Sequence, residues 1–174
     1  METAQRTTES NRSNAVPSPA KPRRRFVSVE AVLSAVMRRV GWRAEDGQVQ
    51  VFVDAGSGGF EGDADAVIEA FVAVVLNAVD VSPRGGAVLV STKELPDGSQ
   101  AWAVRDFVPP RSVRSCDDGD SFMSRANCTA LTVARRIFES QGGELSIHSD
   151  GSAGTLISMH LPRASETGLH AAPL

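Results

Sequence analysis

The stretch from Val67 to Val81 constrains this chain more than any other. Nearly every position is apolar (Val67, Ile68, Phe71, Val72, Val74, Val75, Leu76, Val79). A helix that is oily on all sides must be covered on most of them, so it belongs in a core. Asp63 can start it by accepting from the first free backbone N–H groups. Ser82-Pro83-Arg84-Gly85-Gly86 ends it, and Ala87 to Ser91 reads as a strand. Two polar residues, Asn77 and Asp80, sit one turn apart on one face of this wall. Leaving each buried and unpartnered would cost about 1–3 kcal/mol. They sit at the helix end and meet water, or the protein satisfies them, or a ligand does.

At 174 residues the chain holds one domain plus tails, with the 41% hydrophobic and 22% charged content of a soluble globular protein. No apolar run is long enough to span a membrane, and the N-terminus has no signal-peptide core. Cys116 and Cys128 make neither a disulfide framework nor a metal cluster, so a reducing cytoplasm is expected. Residues 1–25 carry six Lys or Arg against Glu2 and Glu9, a formal +4, which leaves −7 on residues 26–174. An acidic body argues against nucleic-acid binding by the folded domain.

Residues 1–25, rich in Ser, Thr, Asn, Pro and Arg, read as a disordered basic tail, and 163–174 as a second disordered tail. Between them, Ser28 can cap a helix with Val29, Val32, Leu33, Val36, Met37 and Val40 on one stripe, ending at Gly41; Trp42 then caps its apolar face. Residues 48–54 alternate as a half-buried strand, and 55–59 form a glycine-rich turn without the Lys-Ser/Thr of a phosphate loop. Strands 87–92 and 100–105 flank Pro96-Asp97-Gly98-Ser99 as a hairpin. Periodicity is lost over 107–124, a long loop of the kind that carries function or disorder. A helix over 126–140 stops at Gly142-Gly143, and strands 144–149 and 155–161 make a closing hairpin. The sum is an α/β fold, a two-layer α/β sandwich: a mixed, mostly antiparallel five-stranded sheet with three helices on one face.

These residues resemble the ATP-binding catalytic domain of sensor histidine kinases, the fold shared with gyrase, mismatch-repair and heat-shock ATPases. Leu76-Asn77-Ala78 is similar to the family's Asn box, and Val104-Arg105-Asp106 to the strand ending in the Asp of its first glycine box. The run Leu131 to Gly143 is similar to the helix after the second glycine box. Ser149 to Thr155, followed by Leu161-Pro162, is similar to the closing hairpin. The resemblance covers residues 26–162. It implies that Asn77 holds the Mg²⁺ bridging the phosphates of ATP, a hard cation taking an amide oxygen. It implies that Asp106 accepts from the adenine amino group. Asp80 stands where the wider ATPase family, though not the kinases, often carries Asp, and so is expected in the nucleotide site; the resemblance makes 107–125 a lid and has Gly151, Gly154 and Thr155 shape the hairpin behind the pocket.

The departures carry equal weight. Where the first box has glycines the chain has Val108 and Pro110, and in the second it has Ala126, Cys128 and Ala130. Glycine there lets backbone N–H groups approach phosphate; a Cβ pushes the chain away, and proline removes a donor. Position 73 is Ala, so no carboxylate is placed to activate water, and no histidine precedes His148 to accept phosphate. Three functions follow. The first is a degenerate module of two-component or phosphorelay signalling, regulatory through protein contacts, with weak or no nucleotide binding. Its partner would be a histidine kinase, a response regulator or a sigma/anti-sigma factor. The second is an active ATP-dependent kinase, of histidine or anti-sigma serine type, acting on a partner chain. The third is a scaffold without a ligand.

Overall fold

The computed structural model describes residues 24–108, 122–150 and 154–163. In chain order the elements are β1 (Arg25–Ser28), α1 (Val29–Gly47), β2 (Gln50–Asp54), β3 (Gly59–Gly62) and α2 (Ala64–Val81). They continue with β4 (Ala87–Glu94), β5 (Gln100–Asp106), α3 (Phe122–Ser140), β6 (Glu144–Asp150) and β7 (Gly154–Leu161). The main sheet runs β2-β4-β5-β7-β6, with β2 and β4 parallel and the other pairs antiparallel. Three helices pack against it, with α2 lying between α1 and α3. The expected sandwich is therefore the one observed.

The helix caps follow from local chemistry. The Ser28 hydroxyl accepts from the Ala31 N–H at 3.2 Å, and the Asp63 carboxylate from the Ala66 N–H at 3.1 Å. At the other end of α2, the Ser82 hydroxyl donates to the Ala78 carbonyl at 2.8 Å. The core is filled by Val32, Val36 and Val40 of α1, by Val67, Phe71 and Val75 of α2, and by Phe138 of α3. Trp102 of β5 is only 1% exposed and meets the edges of Phe71 and Phe60, with ring centroids 5.1 and 6.2 Å away.

Four expectations need correction. The helix expected over 126–140 begins at Phe122, within the stretch read as a loop over 107–124. Helix α1 does not stop at Gly41; it continues to Gly47 and ends where Gln48 takes a left-handed φ of 54°. A mid-helix glycine costs only about 1 kcal/mol, and the burial of Val40 and Ala44 on either side outweighs it. Trp42 accordingly lies within the helix, 65% exposed, and covers no apolar face. Residues 25–28 and 59–62, read as tail, cap and loop, instead pair as a second, two-stranded antiparallel sheet. It buries Val27 and Phe60 over the core.

Candidate functional site

The topology gathers one end of every strand that matters. β4 begins with Ala87 opposite Gln50, and its Val88 pairs with Asp106 at the end of β5. Arg105 pairs with Leu156 near the start of β7, and Asp150 pairs with Gly154 across the closing hairpin. Residues 82–86 link α2 to β4, so the last turns of α2, with Asn77 and Asp80, lie toward the same end. α3 leads through Gly142-Gly143 into β6, whose Glu144 pairs with His160 at the far end. Its first turn therefore points back toward Asp106.

Asp106 is the best-defined group there. It is 3% exposed, and its Oδ1 accepts from the Thr155 N–H at 3.0 Å and the Val108 N–H at 3.2 Å. The Val108 contact is an Asx-type turn, in which a carboxylate takes the N–H two residues on. Oδ2 has no partner among the described residues, which leaves it able to accept from an outside donor. Gly154 explains the close seat: its φ is +87°, and a Cβ there would lie 2.2 Å from the Asp106 carbonyl oxygen. Thus Asp106, Gly154 and Thr155, far apart in the chain, form one junction. Gly151 lies outside the described residues.

Asn77 and Asp80 resolve differently. The Asp80 carboxylate accepts from Nε of Arg43 on α1 at 2.7 Å, and that hydrogen bond pushes the guanidinium further above its ordinary range. The protein satisfies Asp80 itself. Asn77 is half-buried, and no hydrogen bond among the described residues engages its amide.

No protein-family model matches the chain. Sporulation kinase C of Bacillus subtilis (strain 168) is 22% identical over 148 residues, 82% of this chain; the match spans 32% of that relative, about a third of its length. The mycobacterial sensor histidine kinase MprB superposes with a TM-score of 0.67 at 21% identity, over 82% of this chain and 100% of that one. Full-length ShkA in complex with AMPPNP gives 0.68 at 19% identity, over 87% of this chain and 32% of that one. The fold is that of a histidine kinase catalytic domain.

Ala126, Cys128 and Ala130, which stand where the resemblance places glycines of the second box, all lie inside α3, which begins at Phe122. Helical N–H groups beyond the first four are bonded to carbonyls one turn back, so the N–H groups at 126–130 are not free to bind an anion. At the first box, the Val108 N–H is already given to Asp106. Pro110 lies outside the described residues, as do residues 109–121 of the expected lid.

A bound ATP can therefore be tested group by group. The adenine amino group fits: two backbone donors hold Oδ1 of Asp106, and Oδ2 has no partner among the described residues. Mg²⁺ has the Asn77 amide, while among the described residues no three His, Cys, Asp or Glu converge to hold a metal ion. At the glycine-box positions among the described residues, the backbone offers a triphosphate no converging donors. Among the described residues, no helix is long and apolar enough to cross a membrane.

A groove of about 490 Å³ lies elsewhere, on the sheet face that the helices leave open. Its floor is Ser91, Ala103, Ser146 and Ser158, and its rim includes Lys93 and Glu144. It results from small side chains standing side by side on neighbouring strands, and it does not reach Asp106.

The sequence reading missed two contacts at the site. The Val108 N–H has a local signal, an Asp two residues before a backbone donor. Arg43 reaching Asp80 has none, because the two lie 37 positions apart.

Proposed function

We propose that this chain is a histidine kinase-like signalling module that acts through protein contacts, its nucleotide site reduced to weak recognition of an adenine base. Residues 26–162 are the working unit, with 1–25 and 163–174 as tails. The observation that carries the reading is the contrast within one cleft. Asp106 is fully seated by Thr155 and Val108, while positions 126–130 have passed into α3. The partner class is another signalling protein: a histidine kinase, a response regulator or a sigma/anti-sigma factor. The similarity to Sporulation kinase C supports the signalling context.

Calorimetric titration with adenosine, ADP, ATP and a non-hydrolysable analogue, each with and without Mg²⁺, tests this. Adenosine and ATP should bind equally weakly, Mg²⁺ should add nothing, and Asp106→Asn should remove what binding there is. Charge-assisted hydrogen bonds contribute about 1.5–3 kcal/mol each, so even two to phosphate would separate ATP from adenosine by about a hundredfold or more. A gap of that size, dependent on Mg²⁺ and lost in Asn77→Ala, would replace this reading with the second one. That second reading is an active ATP- and Mg²⁺-using kinase of a partner chain, favoured by the unengaged Asn77 amide.

A further inference from the structure

The sheet order leaves β2 as an outer strand. The Gln50 N–H donates to the Gly86 carbonyl at 2.9 Å, and the Gln48 carbonyl accepts from the Gly85 N–H at 2.9 Å. Even-numbered residues therefore turn their backbone groups toward β4, and Val51 and Val53 turn theirs outward. Among the described residues nothing pairs with that outer row. Phe52 is 53% exposed on the open face of the sheet, and Val53 is 43% exposed on the helix side.

Edge strands are normally guarded by Lys, Pro, a bulge or a covering element, because an unpaired row of N–H and C=O groups templates association. The five residues Gln50-Val51-Phe52-Val53-Asp54 contain no Lys, Arg or Pro, and their register against Ala87–Ser91 is unbroken. They are also their own complement. Antiparallel pairing about a two-fold axis at Phe52 aligns all five residues. It sets Val51 against Val53 of the other copy, where the outward groups make four backbone hydrogen bonds. Phe52 meets Phe52 at a non-hydrogen-bonded position, where side chains approach closest. Gln50 then faces Asp54 of the other copy, an amide donor against a carboxylate. A two-fold axis at Asp54 would instead set the two carboxylates against each other.

We propose that β2 is the docking surface for a second copy of this chain, the two main sheets joining edge to edge across Phe52. The pairing is isologous, so it closes as a dimer. A five-residue ladder buries less than the roughly 1,200 Å² of a stable interface, so the dimer is weak and dependent on concentration.

Cross-linking of the full chain tests this. In a Cys116→Ser, Cys128→Ser background, Phe52→Cys places two thiols across the axis at the separation a disulfide requires. Mild oxidation should give covalent dimer many-fold faster than Trp42→Cys, a comparably exposed site on α1. Adding Val53→Lys should abolish that advantage without moving the melting temperature, and adding Gln50→Lys, which faces Asp54 of the other copy, should increase it in a salt-sensitive way. Equal rates for Phe52→Cys and Trp42→Cys would overturn the proposal, as would indifference to both lysines. Sedimentation of the unmodified chain gives a second measure: association that rises with concentration and is lost in Val53→Lys supports it, and a monomer throughout refutes it.

Discussion

Replacing Gly154 with Ala tests whether the Asp106 junction is as tight as its geometry implies. The backbone there has φ +87°, where an L-residue carries about 1–2 kcal/mol of strain. The added Cβ would lie 2.2 Å from the Asp106 carbonyl oxygen and 2.9 Å from its Oδ1. Neither is the far end of a flexible side chain, so the first residue of β7 must move off the end of β5. That movement endangers the Thr155 N–H bond to Asp106, and leaving a buried acceptor short of a donor costs about 1–3 kcal/mol. The smaller unfolded-state entropy of Ala returns about 0.4–1 kcal/mol. The net loss is about 2–4 kcal/mol. Gly85→Ala is the control: φ there is +79°, and a Cβ would meet nothing within 4 Å. It carries the strain without the collision and should lose about 1 kcal/mol or less. Urea denaturation monitored by circular dichroism gives both values, with unchanged slopes confirming that only stability has moved. Equal losses for the two variants would mean that the close approach of Gly154 to Asp106 does not exist in solution.

Trp102→Phe should cost less than its burial suggests, below about 1 kcal/mol. The indole N–H it removes has no partner among the described residues, so part of the lost packing is returned as desolvation relief, whereas Trp102→Ala should lose about 3–5 kcal/mol. In the Phe variant, Trp42 should emit as a solvent-exposed indole, open to quenching by iodide; a blue-shifted, protected spectrum would contradict its position on α1. The Asp97 carboxylate is held below its ordinary range by the Ser99 hydroxyl and then by the Ser99 N–H, and Glu69 is held low by its hydrogen bond from Arg39. Depressed folded-state values stabilise above the unfolded pKa and lose that contribution as pH falls through the folded one, so both effects should fade below about pH 4. Carboxyl titration by NMR should place both midpoints below their peptide values, and Asp97→Asn with Glu69→Gln should flatten the acid limb of stability; ordinary midpoints would remove both hydrogen bonds from the solution structure.

The parts of the fold legible from sequence are those whose signals are local. Asp63 capping an apolar run, Pro96-Asp97-Gly98-Ser99 between alternating residues, and Gly142-Gly143 after a helical stripe each act within a few positions, and each element appears where those residues put it. The pairing of β1 with β3 was illegible for the opposite reason. Arg25–Ser28 and Gly59–Gly62 have four residues each and meet across more than thirty positions, joined through Val27 against Phe60. Gly41 misled because its local cost is small beside the burial on either side. Within the site, motif likeness brought Asp106 and Thr155 together. It carried no information on whether Asp80 needed a ligand, since Arg43 answers it from another helix.

On the proposed reading, the two halves of the cleft rest on different physical foundations, which lets one be kept while the other is lost. Asp106 ends a strand that pairs on both sides, and its seat against Gly154 and Thr155 closes the β5–β7 junction. Disturbing it disturbs the sheet, so stability alone preserves Asp106, the group proposed to recognise the base. A phosphate cradle has no such protection. It consists of N–H groups kept unbonded by glycine, a conformation that lowers stability until an anion arrives. Replacing those glycines with Ala or Cys lets the helix grow back over them and recovers its hydrogen bonds. On the reading proposed above, a chain freed from transferring phosphate keeps Asp106 in place while helix covers positions 126–130; here α3 begins at Phe122 and Asp106 is bonded by the Thr155 N–H.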